Sequence, residues 1–287
     1  MKDYLSLIKF SHTIFALPFA LLGFFLGTLE SGAGLNGRLF LLVLLCMVFA
    51  RSAAMAFNRY LDRDIDVQNP RTASREIPAG IIAPRAALAF VFINSLLFML
   101  TAWFINPLCF VLSPVALLVV LGYSYTKRFT FLCHFVLGLG LSLAPIGAYL
   151  AVQGQFALLP LLYSAAVLLW VSGFDIIYAL QDDDFDRSLN LNSIPVALGR
   201  NGALRFSSAL HLACAGVILL AAYLLYSMYP AFGWIHWVAA GIFIGLLAYQ
   251  HAIVKPNDLS RVNLAFFTTN GVASLIFGGM VILDMYY

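Results

Sequence analysis

Polar residues recur at four-residue spacing in the segment NRYLDRDID, residues 58–66. At about 100° per residue, Asn58, Asp62 and Asp66 advance by about 40° each and line one stripe of a helix, whereas Asp64 points away. Carboxylates that face each other repel unless a cation lies between them, and hard oxygen ligands with room for water suit Mg²⁺. With a second acidic cluster facing it, this stripe predicts a magnesium site, with a diphosphate as the expected guest.

A second acidic segment, DIIYALQDDDFD at residues 175–186, has the same spacing. On an ideal helix, four of its polar side chains again fall on one stripe. These are Asp175, Tyr178, Asp182 and Asp186. Two helix ends that carry carboxylates can therefore face each other across one cavity.

Basic residues accompany both acidic segments. Arg71 and Arg75 lie in the loop after the first segment, and Lys127 lies near the end of another apolar stretch. We expect them to neutralise the outer phosphate oxygens, the arginines by a bidentate fork and the lysine as a point charge. Tyr123, one turn before Lys127, is a less specific signal, because tyrosine and lysine are common anchors at membrane interfaces.

Arg51 lies seven residues before Asn58, two turns earlier and about 20° off the same helix face. An ionisable group inside a bilayer costs on the order of 2.5–3.5 kcal/mol on insertion scales. Arg51 and Asp175 lie within apolar stretches and therefore need partners or a water-filled cavity. We predict that Arg51 looks into the same cavity as the acidic stripe.

The remaining polar and sulfur-containing residues have simpler interpretations. We expect the following charged side chains only to be solvated: Asp64, Asp184, Arg59, Arg63 and Arg187. His134 is expected to be an interface or packing residue. The cysteines stand singly in apolar stretches, which predicts core packing and neither a disulfide framework nor a zinc site. They are Cys46, Cys109, Cys133 and Cys214.

The elements that must position these residues are membrane helices. Of 287 residues, 62% are hydrophobic and only 10% are charged, far from the balance of soluble domains. A transmembrane helix needs roughly 20 mostly apolar residues. Such stretches lie near residues 12–30, 38–61, 86–105, 108–126, 132–152, 158–180, 203–228, 232–252 and 263–284. The sequence predicts an all-α polytopic membrane protein, one membrane domain over residues 1–287, with about nine helices around a central cavity.

The basic residues orient this arrangement, because they accumulate in short cytoplasmic loops. With the N-terminus inside, cytoplasmic segments hold 14 of the 16 Lys and Arg residues, the far side keeps Arg38, and Arg51 is intramembrane. The first stretch is interpreted as a retained helix rather than a signal peptide. The net charge of +3 therefore describes membrane orientation and gives no nucleic-acid signal. We expect an integral protein of the bacterial inner membrane, surrounded by lipid, with a cytoplasmic active site.

The two polar loops, residues 62–85 and 181–202, resemble each other. Both follow an even-numbered predicted helix, open with acids at four-residue spacing and run to an Ile-Pro pair, Ile77-Pro78 and Ile194-Pro195. This indicates two diverged halves, roughly 1–130 and 131–287, with the working side at the polar loops.

The patterns N-x3-D-x3-D at 58–66 and D-x2-Y-x3-D-x3-D at 175–186 resemble the two signature motifs of the UbiA superfamily of intramembrane prenyltransferases. The passages IKFSHTIFALPFALLG and AMAFNRYLDRDIDVQNPRTASREIPAG are similar to the branch of 4-hydroxybenzoate polyprenyltransferases and their menaquinone-pathway relatives. The resemblance implies transfer of a polyprenyl group from its diphosphate to a small aromatic acceptor in quinone biosynthesis.

The resemblance also implies roles for individual residues. Mg²⁺ and diphosphate would be held by Asn58, Asp62, Asp66, Asp182 and Asp186, with the four aspartates as metal ligands. The second cluster would be supported by Asp175 and Tyr178, and the phosphates would contact Arg71, Arg75 and Lys127, with Tyr123 near the diphosphate. Arg51 matches an arginine that faces the carboxylate of the acceptor in benzoate-using members.

Other functions remain open at this point. Within the enzyme interpretation the rival acceptors are a dihydroxynaphthoate, haem, homogentisate and a glycerol phosphate, although Arg51 favours a carboxylated one. A transporter or channel would also carry membrane acids, but near the bilayer midplane on interrupted helices rather than at one set of helix ends. A noncatalytic scaffold gives no reason for two acidic stripes.

Overall fold

The computed structural model describes residues 2–8, 15–230 and 232–287, and most of this part of the chain is helical. In chain order the helices are α1 (Lys2–Leu7), α2 (Leu17–Ser31), α3 (Gly37–Asp66), α4 (Pro84–Ile105), α5 (Pro107–Thr126), α6 (Cys133–Gln153), α7 (Leu158–Ala179), α8 (Asp183–Ser188), α9 (Ile194–Met228), α10 (Ile235–Ile253), a π-helical segment (Leu264–Thr269) and α11 (Asn270–Asp284). The predicted all-α class is confirmed.

The chain is an integral membrane protein. Within the described residues, eight helical stretches are long and apolar enough to cross a membrane: α3, α4, α5, α6, α7, α9, α10 and the stretch Leu264–Asp284. The first predicted span, 12–30, corresponds to α2, which has only 15 residues. Residues 9–14 lie outside the described residues. The count of nine spans is therefore not confirmed.

Asparagine side chains fix where two of the membrane helices begin. Asn36 Oδ1 accepts a hydrogen bond from the Leu39 N–H at 3.1 Å and starts α3. Asn106 Oδ1 accepts one from the Cys109 N–H at 2.8 Å and starts α5. Each cap satisfies a backbone donor that has no partner within its helix. From its cap, α3 continues through the whole first acidic segment to Asp66, beyond the predicted end near residue 61.

The segment 181–202 is more ordered than the predicted loop. It contains the short helix α8 and the start of α9, which begins at Ile194 rather than near residue 203. Ser193 Oγ accepts a hydrogen bond from the Val196 N–H, and Pro195 lies in the first turn, where its missing N–H costs nothing. Gly199, with φ of +66°, kinks the chain before the apolar part of α9. This polar first stretch lacks the apolar run that marks a membrane span.

Helix α7 lies at the centre of the bundle and packs against α6 and α9. Trp170 is fully buried, with its ring centroid 5.4 Å from Phe19 and 5.5 Å from Phe243. One turn later, α7 approaches α9 so closely that a Cβ at Gly173 would lie 2.4 Å from the His211 imidazole. Glycine therefore allows the two helices to cross this closely, two residues before Asp175.

Candidate active site

A cavity of about 680 Å³ is lined mainly by α3, α5, α6 and α7 and follows much of their length. Its size falls in the usual range for small-molecule sites. Carboxylates from both acidic segments line one end, namely Asp62, Asp66, Asp175, Asp182 and Asp186. The rest of the wall is mostly apolar. We call this cavity the chamber.

The first acidic stripe lies on α3 as a continuous helical face. Asp62 and Asp66 are buried at 3% and 4% exposure, although each carries a carboxylate. Asn58 Nδ2 donates to Asp62 Oδ2 at 3.1 Å. Asp64, which points away, is exposed and pairs only with its neighbour Arg63. The side chains of the stripe therefore face the chamber, as the helical spacing predicted, and Asp64 does not.

The second acidic segment differs from its prediction as a single helix. Helix α7 ends at Ala179, and Asp182 lies in the turn before α8. The prediction of one continuous helical stripe from Asp175 to Asp186 is therefore wrong, because the chain leaves the helix two residues before Asp182. The tight turn between the two helices still leaves Tyr178, Asp182 and Asp186 at the chamber wall.

Each basic residue predicted to contact phosphate is paired with an acid of the chamber. Arg75 Nη1 contacts both oxygens of Asp66 at 2.7 and 2.8 Å. Lys127 Nζ donates to Asp62 Oδ2 at 2.6 Å. These pairs connect α3 to the loop after it and to the end of α5, so the acids are neutralised within the protein.

Arg71 joins the two acidic segments. Its Nε donates to Asp182 Oδ1 at 3.0 Å, its Nη2 donates to Asp182 Oδ2, and its Nη1 donates to the Tyr178 hydroxyl at 2.9 Å. Asn69 Nδ2 adds a bond of 3.1 Å to Asp182 Oδ1. The loop after the first segment therefore binds the second one, which is how the two motifs form one site.

Three site contacts were not predicted from the sequence. Asn69 is the first, and Arg128 is the second: its Nη2 lies 3.3 Å from Asp62 Oδ1. The third is a buried dyad in which His134 Nδ1 lies 2.7 Å from Asp175 Oδ2. Because all three contacts join residues far apart in the chain, helical spacing carries no signal of them.

The contacts of His134 show which of its ring nitrogens donates to Asp175. The Ile194 backbone N–H donates to His134 Nε2 at 3.3 Å. Nε2 is therefore an acceptor, so the neutral ring carries its proton on Nδ1 and donates it to Asp175. His134 is buried, as a packing residue would be, and it also holds one oxygen of the Asp175 carboxylate.

Two charged residues that were not assigned to the site are buried. Arg59 is only 5% exposed and lines the chamber, so its solvated interpretation is wrong. It lies on α3 two turns before Asp66, on nearly the same helix face. Asp183 is buried too and receives two bonds from Arg200 at 2.8 and 2.9 Å, which fasten α8 to α9. Asp184 and Arg187 are exposed, as expected, and Arg63 is partly exposed.

Arg51 and Tyr123 also line the chamber, deeper than the acidic end. Arg51 is half-buried and lies two turns before Asn58 on α3. Three cysteines, Cys46, Cys109 and Cys133, lie partly buried in the same wall, whereas Cys214 is fully buried in the core.

The acidic end fits a hard divalent cation. Asp186 has no basic nitrogen within 4 Å among the described residues, in contrast to the paired Asp62, Asp66 and Asp182. Burial raises the pKa of the Asp186 carboxyl to about 6, and the neighbouring Asp182 charge acts in the same direction. In the described part of the chain no three His, Cys, Asp or Glu side chains converge as a metal cage. The available donors are therefore one or two carboxylates at a time. This suits Mg²⁺, which is usually held by one or two carboxylates together with phosphate oxygens and water.

Comparison with known proteins places the chain among characterised sequences. The sequence model of the UbiA prenyltransferase family matches residues 16–272. The 4-hydroxybenzoate octaprenyltransferase of Aeromonas hydrophila is 33% identical over 243 residues, which cover 84% of this chain and 83% of the relative. The protein of the same name from Tolumonas auensis is 32% identical over 259 residues, which cover 88% and 86%.

Solved structures share the fold. The apo structure of a UbiA homolog from Aeropyrum pernix K1 is 35% identical, has a TM-score of 0.82 and covers 96% of this chain and 98% of its own. A UbiA homolog from Archaeoglobus fulgidus bound to GPP and Mg²⁺ has a TM-score of 0.74 at 21% identity, with 99% and 100% covered. The second likeness is evidence for the fold alone.

Proposed function

This chain belongs to the UbiA prenyltransferase family, and we propose that it moves a polyprenyl group from its diphosphate to a ring carbon of 4-hydroxybenzoate in quinone biosynthesis. The observation that carries the proposal is the set of acid–base pairs at the acidic end of the chamber. Lys127–Asp62, Arg75–Asp66 and Arg71–Asp182 place three carboxylates and three cations around one space. The acceptor follows the name carried by the relatives at 32–33% identity.

The pairs are suited to exchange with a magnesium diphosphate. Its anionic oxygens would take the arginine and lysine donors, and its cation would take the freed carboxylates. The charge of each protein group is then compensated before and after binding, which avoids the several-kcal/mol penalty of an uncompensated buried ion. A solvated surface pair would gain much less from such an exchange.

We assign the Mg²⁺ ligands to two carboxylate pairs, Asp62 with Asp66 and Asp182 with Asp186, and phosphate oxygens would complete the ligand set. Asn58 orients Asp62 through its amide. When bound, Mg²⁺ would offset the negative charge that develops on the leaving diphosphate. The outer phosphate oxygens would be held by Arg71, Arg75 and Lys127, whose positive charges would also offset the negative charge of the diphosphate. Tyr178 keeps Arg71 in place by accepting from its Nη1.

Asp175 is our candidate for the base that takes the proton of the attacked ring carbon. His134 donates to Oδ2, and no hydrogen bond of the described residues reaches Oδ1. The side chain is 21% exposed and lines the chamber. The carboxylate is therefore oriented by one oxygen and available through the other, which is the geometry that a positioned base requires.

Arg51 would pair with the acceptor carboxylate, because an uncompensated carboxylate in a largely apolar chamber would be expelled or protonated. We expect Arg51→Met to raise the KM for 4-hydroxybenzoate by roughly 10- to 150-fold, the cost of losing a hydrogen bond to a charged group, while the KM for prenyl diphosphate changes little. Steady-state kinetics on both substrates measure this. Methyl 4-hydroxybenzoate, which lacks the negative charge, is expected to be insensitive to the change.

Arg59→Met is the matched comparison, since Arg59 is the other arginine of α3 that lines the chamber. An acceptor KM that rises in Arg59→Met and stays unchanged in Arg51→Met would transfer the carboxylate contact to Arg59. A naphthoate acceptor also carries a carboxylate and is the second candidate within this proposal.

The reaction itself is tested with inverted and right-side-out membrane vesicles, a labelled polyprenyl diphosphate and 4-hydroxybenzoate beside a panel of naphthoates. We expect transfer that EDTA abolishes and excess Mg²⁺ restores. We propose a cytoplasmic active site in the bacterial inner membrane. Because the diphosphate head group and the benzoate anion cross a bilayer poorly, both substrates added from outside should react faster with inverted vesicles. Transfer that persists in EDTA would reject the metal assignment, and no transfer to any acceptor would reject the proposed function.

A further inference from the structure

A π-helical turn, Leu264–Thr269, lies directly before α11 and beside the chamber. Such turns are rare and occur mostly as single turns inside helices, frequently at functional sites. The widened backbone is visible in the Thr269 hydroxyl, which donates to the Leu264 carbonyl five residues earlier at 3.1 Å. The turn changes the direction in which the side chains of this segment point.

Asn270 holds the π-turn in place. It is fully buried, and its Nδ2 donates to the carbonyls of Ala265 at 3.2 Å and Phe266 at 3.0 Å. Its Oδ1 accepts from Trp170 Nε1 on α7 at 2.8 Å and Gln250 Nε2 on α10 at 2.7 Å. One amide therefore fastens the turn to two neighbouring helices, which fixes the position of the Phe266 ring.

Phe266 lines the chamber. Its ring stacks on Tyr178 with a centroid distance of 4.0 Å and an interplanar angle of 29°. Phe174 and Phe15 meet it edge-on, at 5.3 and 5.7 Å. Because the Tyr178 hydroxyl accepts from Arg71, this aromatic wall begins at the pair Arg71–Asp182 and continues into the chamber.

We propose that Phe266, flanked by Phe174 and Phe15, forms the surface against which the allylic cation of the prenyl group develops. This inference rests on the prenyl transfer proposed above. The bond between C1 of the prenyl group and the bridging oxygen breaks, and its electron pair leaves with the diphosphate. The ring carbon of the acceptor supplies the pair for the new C–C bond, and its proton passes to Asp175. Between these events the positive charge is spread over C1 and C3.

The order of groups along the wall supports this placement. A diphosphate held by Arg71 and the acidic cluster would place C1, one bond beyond the bridging oxygen, on the side of Tyr178, because the Tyr178 hydroxyl accepts from Arg71. Phe266 is the ring stacked directly on Tyr178 in that wall. The face of an aromatic ring attracts a cation, and it does so without offering a nucleophile that would trap the cation as water does.

Phe266→Leu tests the inference with a side chain of similar hydrophobicity and no π face. We expect kcat to fall roughly 5- to 30-fold, the rate equivalent of one cation–π contact in a desolvated site. We also expect a larger share of the prenyl diphosphate to be hydrolysed to prenyl alcohol, which a purely structural role would not produce. Phe267→Leu is the matched control: Phe267 belongs to the same π-turn, 4.7 Å from the Phe266 ring, and does not line the chamber.

Fluorinated phenylalanines at position 266 separate electronic from packing effects. Successive fluorine substitution preserves the ring and weakens the negative charge of its face, so kcat should fall stepwise with fluorine number. An unchanged kcat across this series would overturn the inference, as would a Phe266→Leu variant that raises only the KM for the acceptor. Wild-type protein in the same assay separates the two proposals. An inactive wild type would reject the prenyltransferase function. An active wild type with unaffected Phe266 variants would reject only this inference.

Discussion

Asp62→Asn is expected to lower the rate of prenyl transfer by roughly 10³-fold, the largest effect that we expect from any single substitution in this chain. Asp62 is 3% exposed and receives bonds from Asn58, Lys127 and Arg128, so its charge compensates two cations in the free protein. The amide keeps the shape of the side chain and removes the charge that we assign to Mg²⁺. The loss should therefore appear in the metal dependence of transfer as well as in the rate.

Asp64→Asn is the matched control for this experiment. Asp64 lies on the same helix two residues later, but its side chain is exposed and contacts only Arg63. Both variants are compared for transfer at increasing Mg²⁺ and for thermal unfolding in detergent. Near-wild-type transfer by a folded Asp62→Asn protein would reject the metal assignment. An equal loss in Asp64→Asn would indicate that charge in this segment matters through orientation in the membrane and not through the site.

Asp175→Asn is expected to lower kcat by roughly 10²-fold or more, in line with the usual contribution of a positioned general base. The diagnostic measurement is the isotope effect with 4-hydroxybenzoate deuterated at the attacked ring positions. We expect an effect near unity in the wild-type protein, where ionisation limits the rate. In the variant, removal of the ring proton becomes rate-limiting, so a primary isotope effect should appear. Its absence in a slow Asp175→Asn variant would exclude Asp175 as the base.

The dyad provides a graded comparison. His134→Asn retains an N–H donor near the place of Nδ1, whereas His134→Leu removes it. We expect the asparagine to preserve most of the wild-type rate and the leucine to lose about tenfold, because His134 orients Asp175 and does not contact the substrate. Equal loss in both variants would indicate that His134 is needed only for packing.

The helical part of the site could be predicted from spacing alone. The face that carries Asn58, Asp62 and Asp66 lies on one uninterrupted helix, and for such an element angular arithmetic is sufficient. The same arithmetic failed after Tyr178, because α7 ends at Ala179 and a tighter turn separates it from α8. A run of apolar and acidic residues contains no Pro or Gly to mark that end, so the break became visible only in the structure.

The contacts between elements were not accessible from the sequence. Arg59 and Arg63 are neighbours of the same type in the same segment, yet Arg59 is buried and Arg63 is partly exposed. Residue type does not separate them, but helical spacing does, because Arg59 lies seven residues before Asp66 and so on nearly the same face of α3. Asn69, Arg128 and His134 reach the acids through tertiary packing, which leaves no local period in the chain. The division into two diverged halves stays a prediction.

The acid–base pairs of the chamber also have a consequence for the biogenesis of the protein. Arg75 follows Asp66 by nine residues, Lys127 follows Asp62 by 65, and Asp182 follows Arg71 by 111. During synthesis from the N-terminus the first pair therefore closes almost at once, the second waits for α5 to be made, and Arg71 stays without its counter-ion until the chain has passed α7. In a nascent chain halted before residue 182, Arg71 therefore lacks its counter-ion and the two acidic segments are not yet joined.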